Sequence, residues 1–329
     1  MVCSICGGDH KRNNKKYHTK EEIKIHDILM EIVKKVEQED KREKKDKKDK
    51  GNKEKKYKKN ALDNEINMKD EFNSSQVLRE KLSLHLKINV KNGTCYKITQ
   101  KELPNDKLKQ TDKWNQYKKG SEERGPTSKA DLCIKINDLD KITISLKSGC
   151  GRLTSADVYE FSAQCFSVID NNEIYFNNEN LKKEVNDIIV SMKNLGKFVT
   201  EKGYNITEIE KNMEVLENDP NMYDSVEWIK KFRLTCCECN KKWKNILEKY
   251  PEFVKDLLFE CASGKYKFGE NIGKADWLIV TESSSSTDIK YVFSLKKRSD
   301  ELDNYLLNCI PKEVIKGKSS GCKLWCRFL

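Results

Sequence analysis

Three short stretches carry residue types that can act together on a phosphate ester. Asp131 lies in ADLCIKI (130–136), Lys147 closes KITISLK (141–147), and Glu160 follows with twelve residues between. Both strand-like segments are rich in β-branched and apolar residues, and Asn137-Asp138 between them suits a turn, so the pair reads as a β-hairpin. An acid on one strand and the tripeptide Ser145-Leu146-Lys147 on its antiparallel neighbour bring a carboxylate and an ammonium to neighbouring positions on one side. Such a pair can hold a hard cation beside a phosphate, since Mg²⁺ takes oxygen ligands from one or two carboxylates, water and phosphate. The cation would polarise the phosphoryl oxygen and help form hydroxide. Lys147 would orient or deprotonate the attacking water and offset developing negative charge. The plain alternative is two ordinary hairpin strands with Asp and Lys at exposed ends.

The same residues resemble the PD-(D/E)xK, or restriction-endonuclease-like, nucleases, in which an Asp precedes Asp/Glu-x-Lys on the next strand. Ser145 stands where that pattern has its acid. A subgroup of type II restriction enzymes has Ser-x-Lys on the strand and takes its second carboxylate from the following helix, about a dozen residues on, and Glu160 fits that spacing. The resemblance implies that Asp131 and Glu160 hold Mg²⁺, that Lys147 serves the water and transition state, and that Ser145 assists. Gln164, one turn beyond Glu160 on the same helix face, suits a supporting ligand or orienter. Glu80 resembles the extra acid that many of these nucleases carry in their first core helix. The chain is also similar to nuclease-like proteins of phages and large DNA viruses. There a strand ending in SLK, a Gly-rich turn and a later Glu-x-Ala-x-Gly-x-x-Lys-Phe-Gly segment occur together. Here these are SGCGRLTSADVYE (148–160) and ECASGKYKFG (260–269). The similarity runs from about Ser74 to Leu295.

The elements that must position these groups are legible from periodicity. Ser74-Ser75 can cap a helix holding Val77, Leu78, Leu82 and Leu86, and TCYKIT (94–99) reads as a short strand. A polar loop from Pro104 to Lys129 precedes the hairpin. Thr154-Ser155 begins a predicted helix through Phe166, and another covers about Leu181 to Val199. Further on, helical patterns cover Tyr223–Arg233 and Trp243–Cys261, while KADWLIV (274–280) and IKYVFSLK (289–296) read as strands. The second pair echoes the first, Asp276 to Lys296 against Asp131 to Lys147; strings this short are better explained by shared strand chemistry than by duplication.

Composition bounds the partners. The 329 residues are 36% charged, against roughly 25% in an average globular chain, and carry a net charge of +11, which favours a polyanion such as nucleic acid. No run approaches a membrane span and the N-terminus has no apolar signal core, so a soluble intracellular protein is expected. The 13 cysteines, partly in CxxC pairs, suit a reducing compartment. Cys3 and Cys6 with His10 and His18 have the ligand chemistry of a closed Zn²⁺ site, and Lys11, Arg12, Lys15 and Lys16 between the histidines would then face phosphate. A floppy basic tail with incidental cysteines is the competing reading. Cys236, Cys237 and Cys239 offer half of a second site, with Cys322 and Cys326 as distant candidates. Thr19 and Glu22 form a capping box before an amphipathic pattern running to Val36. Residues 40–60, with twelve basic and five acidic side chains, make a linker or solvated helical extension. Trp114, Tyr117, Lys118 and Lys119 suit stacking on bases or anchoring of a loop, and Arg152 lies in the Gly-rich turn as a further DNA contact.

The expected organisation is a possible zinc-binding segment (1–18), a helix and Lys-rich linker (19–70), and a nuclease domain (71–329) with its core in about 71–200 and a C-terminal subdomain in about 201–329. The expected fold is α/β, with a restriction-endonuclease-like core, a mixed central sheet flanked by helices, and a basic helical N-terminal extension. The expected activity is Mg²⁺-dependent cleavage of double-stranded DNA by a type II restriction enzyme, a homodimer if its target is a short palindrome. A repair, recombination or mobile-element nuclease shares that chemistry. A noncatalytic zinc-dependent nucleic-acid-binding protein with a degenerate core is the reading from another class.

Overall fold

The computed structural model describes residues 53–99, 109–117, 128–138, 140–148, 157–201, 227–282 and 287–317. The N-terminal Cys/His cluster, the amphipathic pattern at 19–36, most of the Lys-rich run, Lys118, Lys119, Arg152, Thr154-Ser155, Cys322 and Cys326 lie outside those residues.

Five strands form one open mixed sheet in chain order: β1 (Thr94–Lys97), β2 (Leu132–Lys135), β3 (Lys141–Ser148), β4 (Trp277–Thr281) and β5 (Ile289–Ser294). β1, β2 and β3 are an antiparallel meander, β4 lies parallel to β3, and β5 returns antiparallel. The expected hairpin is β2–β3, in register from Leu132 opposite Ile144 to Lys135 opposite Lys141. Asn137 closes its turn by accepting the Asp140 N–H at 2.7 Å.

Alternation along β2 and β3 gives the sheet two apolar faces. Leu132, Ile134, Ile142, Ile144 and Leu146 pack with α1 (Lys53–Ser74) and α2 (Gln76–Leu86) on one face. In α2, Leu78, Leu82 and Leu86 recur at helical spacing on the buried side, Ser75 caps the start, and Lys87 ends the helix in the left-handed region at φ 53°. α1 begins at Lys53, inside the Lys-rich run, so that part of the run is a helical extension. It buries Met68 and Phe72 about one turn apart, on either side of the folded boundary expected near residue 71.

The opposite face carries the larger core, with Cys133, Leu278 and Val280 meeting the remaining helices. These are α3 (Asp112–Tyr117), α4 (Val158–Asp170), α5 (Glu173–Phe176), α6 (Glu179–Glu201), α7 (Glu227–Lys249), α8 (Pro251–Ser263), α9 (Lys265–Phe268), α10 (Asp300–Asn308) and α11 (Lys312–Lys316). Where the sequence suggests two helical stretches separated near Leu234, α7 is continuous. Cys236 and Cys239 continue the stripe of Trp243, Ile246 and Leu247, all buried, because a reduced cysteine packs as a small apolar residue. Burial pushes the Cys239 thiol up to about 11, in keeping with a thiol packed in the core. The helix stops at Tyr250, and Pro251 occupies the first turn of α8. α4 is capped by Asp157, whose side chain accepts the Glu160 N–H at 2.8 Å. No helix among the described residues is long and apolar enough to cross a membrane.

Candidate active site

The site gathers where β2 begins and β1 and β3 end. Lys97 pairs with Leu132 and Leu132 with Ile144, so Asp131, one residue before β2, faces the last part of β3. Backbone bonds extend the ladder past β2: Asp131 donates to the Ile144 carbonyl at 2.8 Å and accepts from the Ile98 N–H at 2.9 Å. Leu146 lies two residues beyond Ile144, so its N–H points to the same side, where β2 has ended. The Asp131 carboxylate takes the missing strand's place, with its Oδ2 accepting the Leu146 N–H at 2.7 Å and the Ser145 hydroxyl at 3.3 Å. The Lys147 ammonium stands 3.6 Å from the same oxygen, with both side chains about one-fifth exposed. Three of the sequence-derived residues, Asp131, Ser145 and Lys147, are thus brought together.

A fourth member comes from α1. Glu65 forms an ion pair with Lys97 at 2.5 Å, both largely buried. Burial, and then the nearby Asp131 charge, push its carboxyl above the usual range, against the opposing pull of Lys97 and Lys147. Glu65, Lys97, Asp131 and Lys147 form two adjoining ion pairs at one end of the strands. Glu80 occupies another place, on the outer side of α2, accepting from Gln76 at 3.1 Å and pairing with Lys91 at 3.6 Å. The spacing Glu65, Met68, Phe72 was the available signal for Glu65. It is a helical stripe entering the core from within a stretch that composition alone marks as solvated.

Glu160 sits in the first turn of α4 and is ion-paired to Lys267, a lysine only 1% exposed. That lysine belongs to the 260–269 segment, and the surroundings explain the segment's residue types. Glu260, also buried, accepts the N–H groups of Tyr266 at 2.9 Å and Lys267 at 3.2 Å, and desolvation raises its carboxyl to about 7. Gly264 has φ +65°, and a Cβ there would lie 2.5 Å from Lys129, so the chain approaches too closely for a side chain. The Lys267 ammonium also stands over the rings of Phe268 and Trp114. Gln164 is fully buried one turn beyond Glu160 and accepts from the Cys261 thiol at 3.4 Å. Trp114 is buried, and Tyr117 donates to Asp170 and stacks on Phe166, so both aromatics anchor their segment to α4. The echoing Asp276 binds differently, accepting from the Thr143 hydroxyl at 3.1 Å and pairing with Lys274 at 3.4 Å.

Among the described residues, no three His, Cys, Asp or Glu side chains converge as a metal-binding group. The donors present at the strand ends nevertheless fit Mg²⁺: two carboxylates of hard oxygen, Asp131 and Glu65, with burial first and the Asp131 charge second raising the Glu65 carboxyl. No protein-family model, no curated protein and no solved structure matches this chain.

Proposed function

We propose that this protein is a Mg²⁺-dependent endonuclease that hydrolyses phosphodiester bonds of double-stranded DNA through a PD-(D/E)xK-like site, as a type II restriction enzyme does. The observation that carries this reading is the Lys147 ammonium 3.6 Å from an Asp131 carboxylate fixed by the Leu146 N–H, with Glu65 in electrostatic reach. A meander of three strands, a crossover containing α4 to α9 and a fourth strand parallel to the third, with helices on both faces, supports a restriction-endonuclease-like core.

Asp131 and Glu65 are the carboxylates that would hold the cation, and Glu160 is the sequence-derived candidate to compare with Glu65. When bound, Mg²⁺ supplies Lewis acidity at the phosphoryl oxygen and an acidified water. Lys147 would orient the attacking water and balance the charge that develops on the phosphate. Ser145 fixes the orientation of Asp131. The basic residues Lys11, Arg12, Lys15, Lys16, Lys118, Lys119 and Arg152 are proposed to bind DNA phosphates, Cys3, Cys6, His10 and His18 to bind Zn²⁺, and two copies of the chain to cut the two strands.

Two observations favour a noncatalytic nucleic-acid-binding protein instead. Ser145 replaces the usual acid, and the relocated Glu160 is already engaged by Lys267. One experiment separates the two readings: unmethylated DNA of known sequence is incubated with the purified full chain and Mg²⁺, and the ends are sequenced. Defined ends that vanish with Asp131→Asn are expected. Retention of DNA without cutting under every Mg²⁺ concentration selects the noncatalytic protein.

A further inference from the structure

The two ion pairs at the strand ends differ in one respect. Lys147 stands 3.6 Å from Asp131, a loose contact that leaves the ammonium able to meet water or phosphate, whereas Lys97 is pressed against Glu65 at 2.5 Å. Lys97 is the last residue of β1, and its neighbour Ile98 donates to the Asp131 carbonyl, so the backbone holds Lys97 beside the acid it does not pair with. Lys97 and Glu65 are 15% and 19% exposed, so neither charge is well solvated and each depends on the other.

The pairing of Lys97 with Leu132 and the Ile98–Asp131 backbone bond set Asp131 next to the Lys97–Glu65 pair, and neighbouring carboxylates are held together by positive charge beside them. We propose that Lys97 is a positioning residue that acts as the site's built-in counter-cation, holding Glu65 in place and occupying the charge position that a divalent cation takes over. This inference rests on the reading of Asp131 and Glu65 as cation ligands. Lys97 keeps the empty site folded and ordered, and it also competes with the incoming ion for the same carboxylate. Cation binding is therefore weak in the free protein. It strengthens when DNA adds a phosphate oxygen to the ion's ligands and a new anionic partner for the displaced ammonium.

The test reads cation binding directly, in the full chain and without DNA. Free Mn²⁺ is followed by electron paramagnetic resonance in wild type, Lys97→Met, Lys97→Arg, Asp131→Asn and the double variant Lys97→Met/Glu65→Gln. Removing the competing charge is expected to tighten Mn²⁺ binding about tenfold or more in Lys97→Met. Lys97→Arg, which keeps the charge, should stay near wild type, and the gain should disappear in the double variant. Unchanged or weaker binding by Lys97→Met overturns the proposal, as does a gain that survives Glu65→Gln. Lys97→Gln provides the same comparison should the Met variant not fold. Wild-type binding that is lost in Asp131→Asn but unmoved in Lys97→Met removes this inference alone. Absence of Mn²⁺ binding from every protein removes the cation-site reading together with it.

Discussion

Replacing Asp131 by Asn separates its chemical part from its structural one, which replacement by Ala does not. The carboxylate accepts the N–H of Leu146, a residue 7% exposed and already past the end of β2, so no strand carbonyl stands ready to replace it. Asp131→Ala leaves that donor unpaired, at about 1–3 kcal/mol, and strips Lys147 of its partner, at about 1 kcal/mol or less for a pair with this exposure. A loss of about 2–3 kcal/mol corresponds to a drop of roughly 4–12 °C in Tm for a protein of this size. Asp131→Asn retains a carbonyl oxygen for the Leu146 N–H, and its loss should stay within about 1 kcal/mol. Both variants lose a charged oxygen ligand. Since even outer partners of metal ligands are worth roughly 10–100-fold, cleavage should fall at least about a hundredfold in each. Thermal melts of the two variants beside wild type, with plasmid cleavage in Mg²⁺ and DNA binding in Ca²⁺, make the comparison. An Asn variant that melts as low as the Ala variant removes the structural part of the argument. An Asn variant that cuts at the wild-type rate removes the chemical part.

Glu65→Gln should reduce cleavage at least about tenfold more than Glu160→Gln, measured as single-turnover rates over a Mg²⁺ titration; the reverse order returns the second ligand to α4. Lys267→Met leaves Glu160 without the described ammonium in a site 13% exposed, and urea unfolding should show a loss of about 3–5 kcal/mol that Lys267→Met/Glu160→Leu largely recovers; a loss under about 1 kcal/mol would show that the pair is not held as described. Glu260 binds its proton more tightly in the folded chain, near 7 against 4.5, so its stabilising contribution is complete below pH 4.5 and is lost as pH rises to about 7. The stability difference between wild type and Glu260→Gln should therefore move by about 3 kcal/mol against wild type between pH 4.5 and 7.5, and a pH-independent difference would refute the raised carboxyl. Removing residues 1–18 should weaken DNA binding and flatten its salt dependence, and metal analysis of the intact chain should find zinc; protein free of zinc, with Cys3 and Cys6 open to alkylation, would favour the basic tail.

The sheet was legible because its signals are local. β2, β3, β4 and β5 are runs of β-branched and aromatic residues bounded by polar turns, and the β2–β3 pairing follows from a turn only a few residues long. The helices were less so where the sequence hides its apolar stripe. In α7 the stripe passes through Cys236 and Cys239, which a search for metal ligands sets aside as chemistry although the core uses them as packing. In α1 the helix starts inside the Lys-rich run that composition assigns to a linker or solvated extension and reaches the core only beyond that run, at Met68 and Phe72. Helical patterning and charge density gave opposite answers there, and burial of two residues on one side was enough to decide for the helix.

The candidate site was legible to the same degree and for the same reason. Asp131, Ser145 and Lys147 lie on adjacent strands of one hairpin, and their meeting follows from its register. Glu65 reaches Lys97 from α1, and Lys267 reaches Glu160 from a segment 107 residues further on; the sequence marks both the α1 stripe and the 260–269 segment but not these pairings. The motif spacing places Glu160 at a ligand's distance along the chain, but a carboxylate is available to a cation only insofar as other positive groups leave it so. In this fold a lysine engages each acid, Lys267 at Glu160 and Lys97 at Glu65, and Glu65 also lies within electrostatic reach of Asp131 and Lys147. On the proposed reading, the acid that completes the site is the one whose surroundings include Asp131 as well as a counter-charge, a property of the folded chain that the order of residues along it does not express.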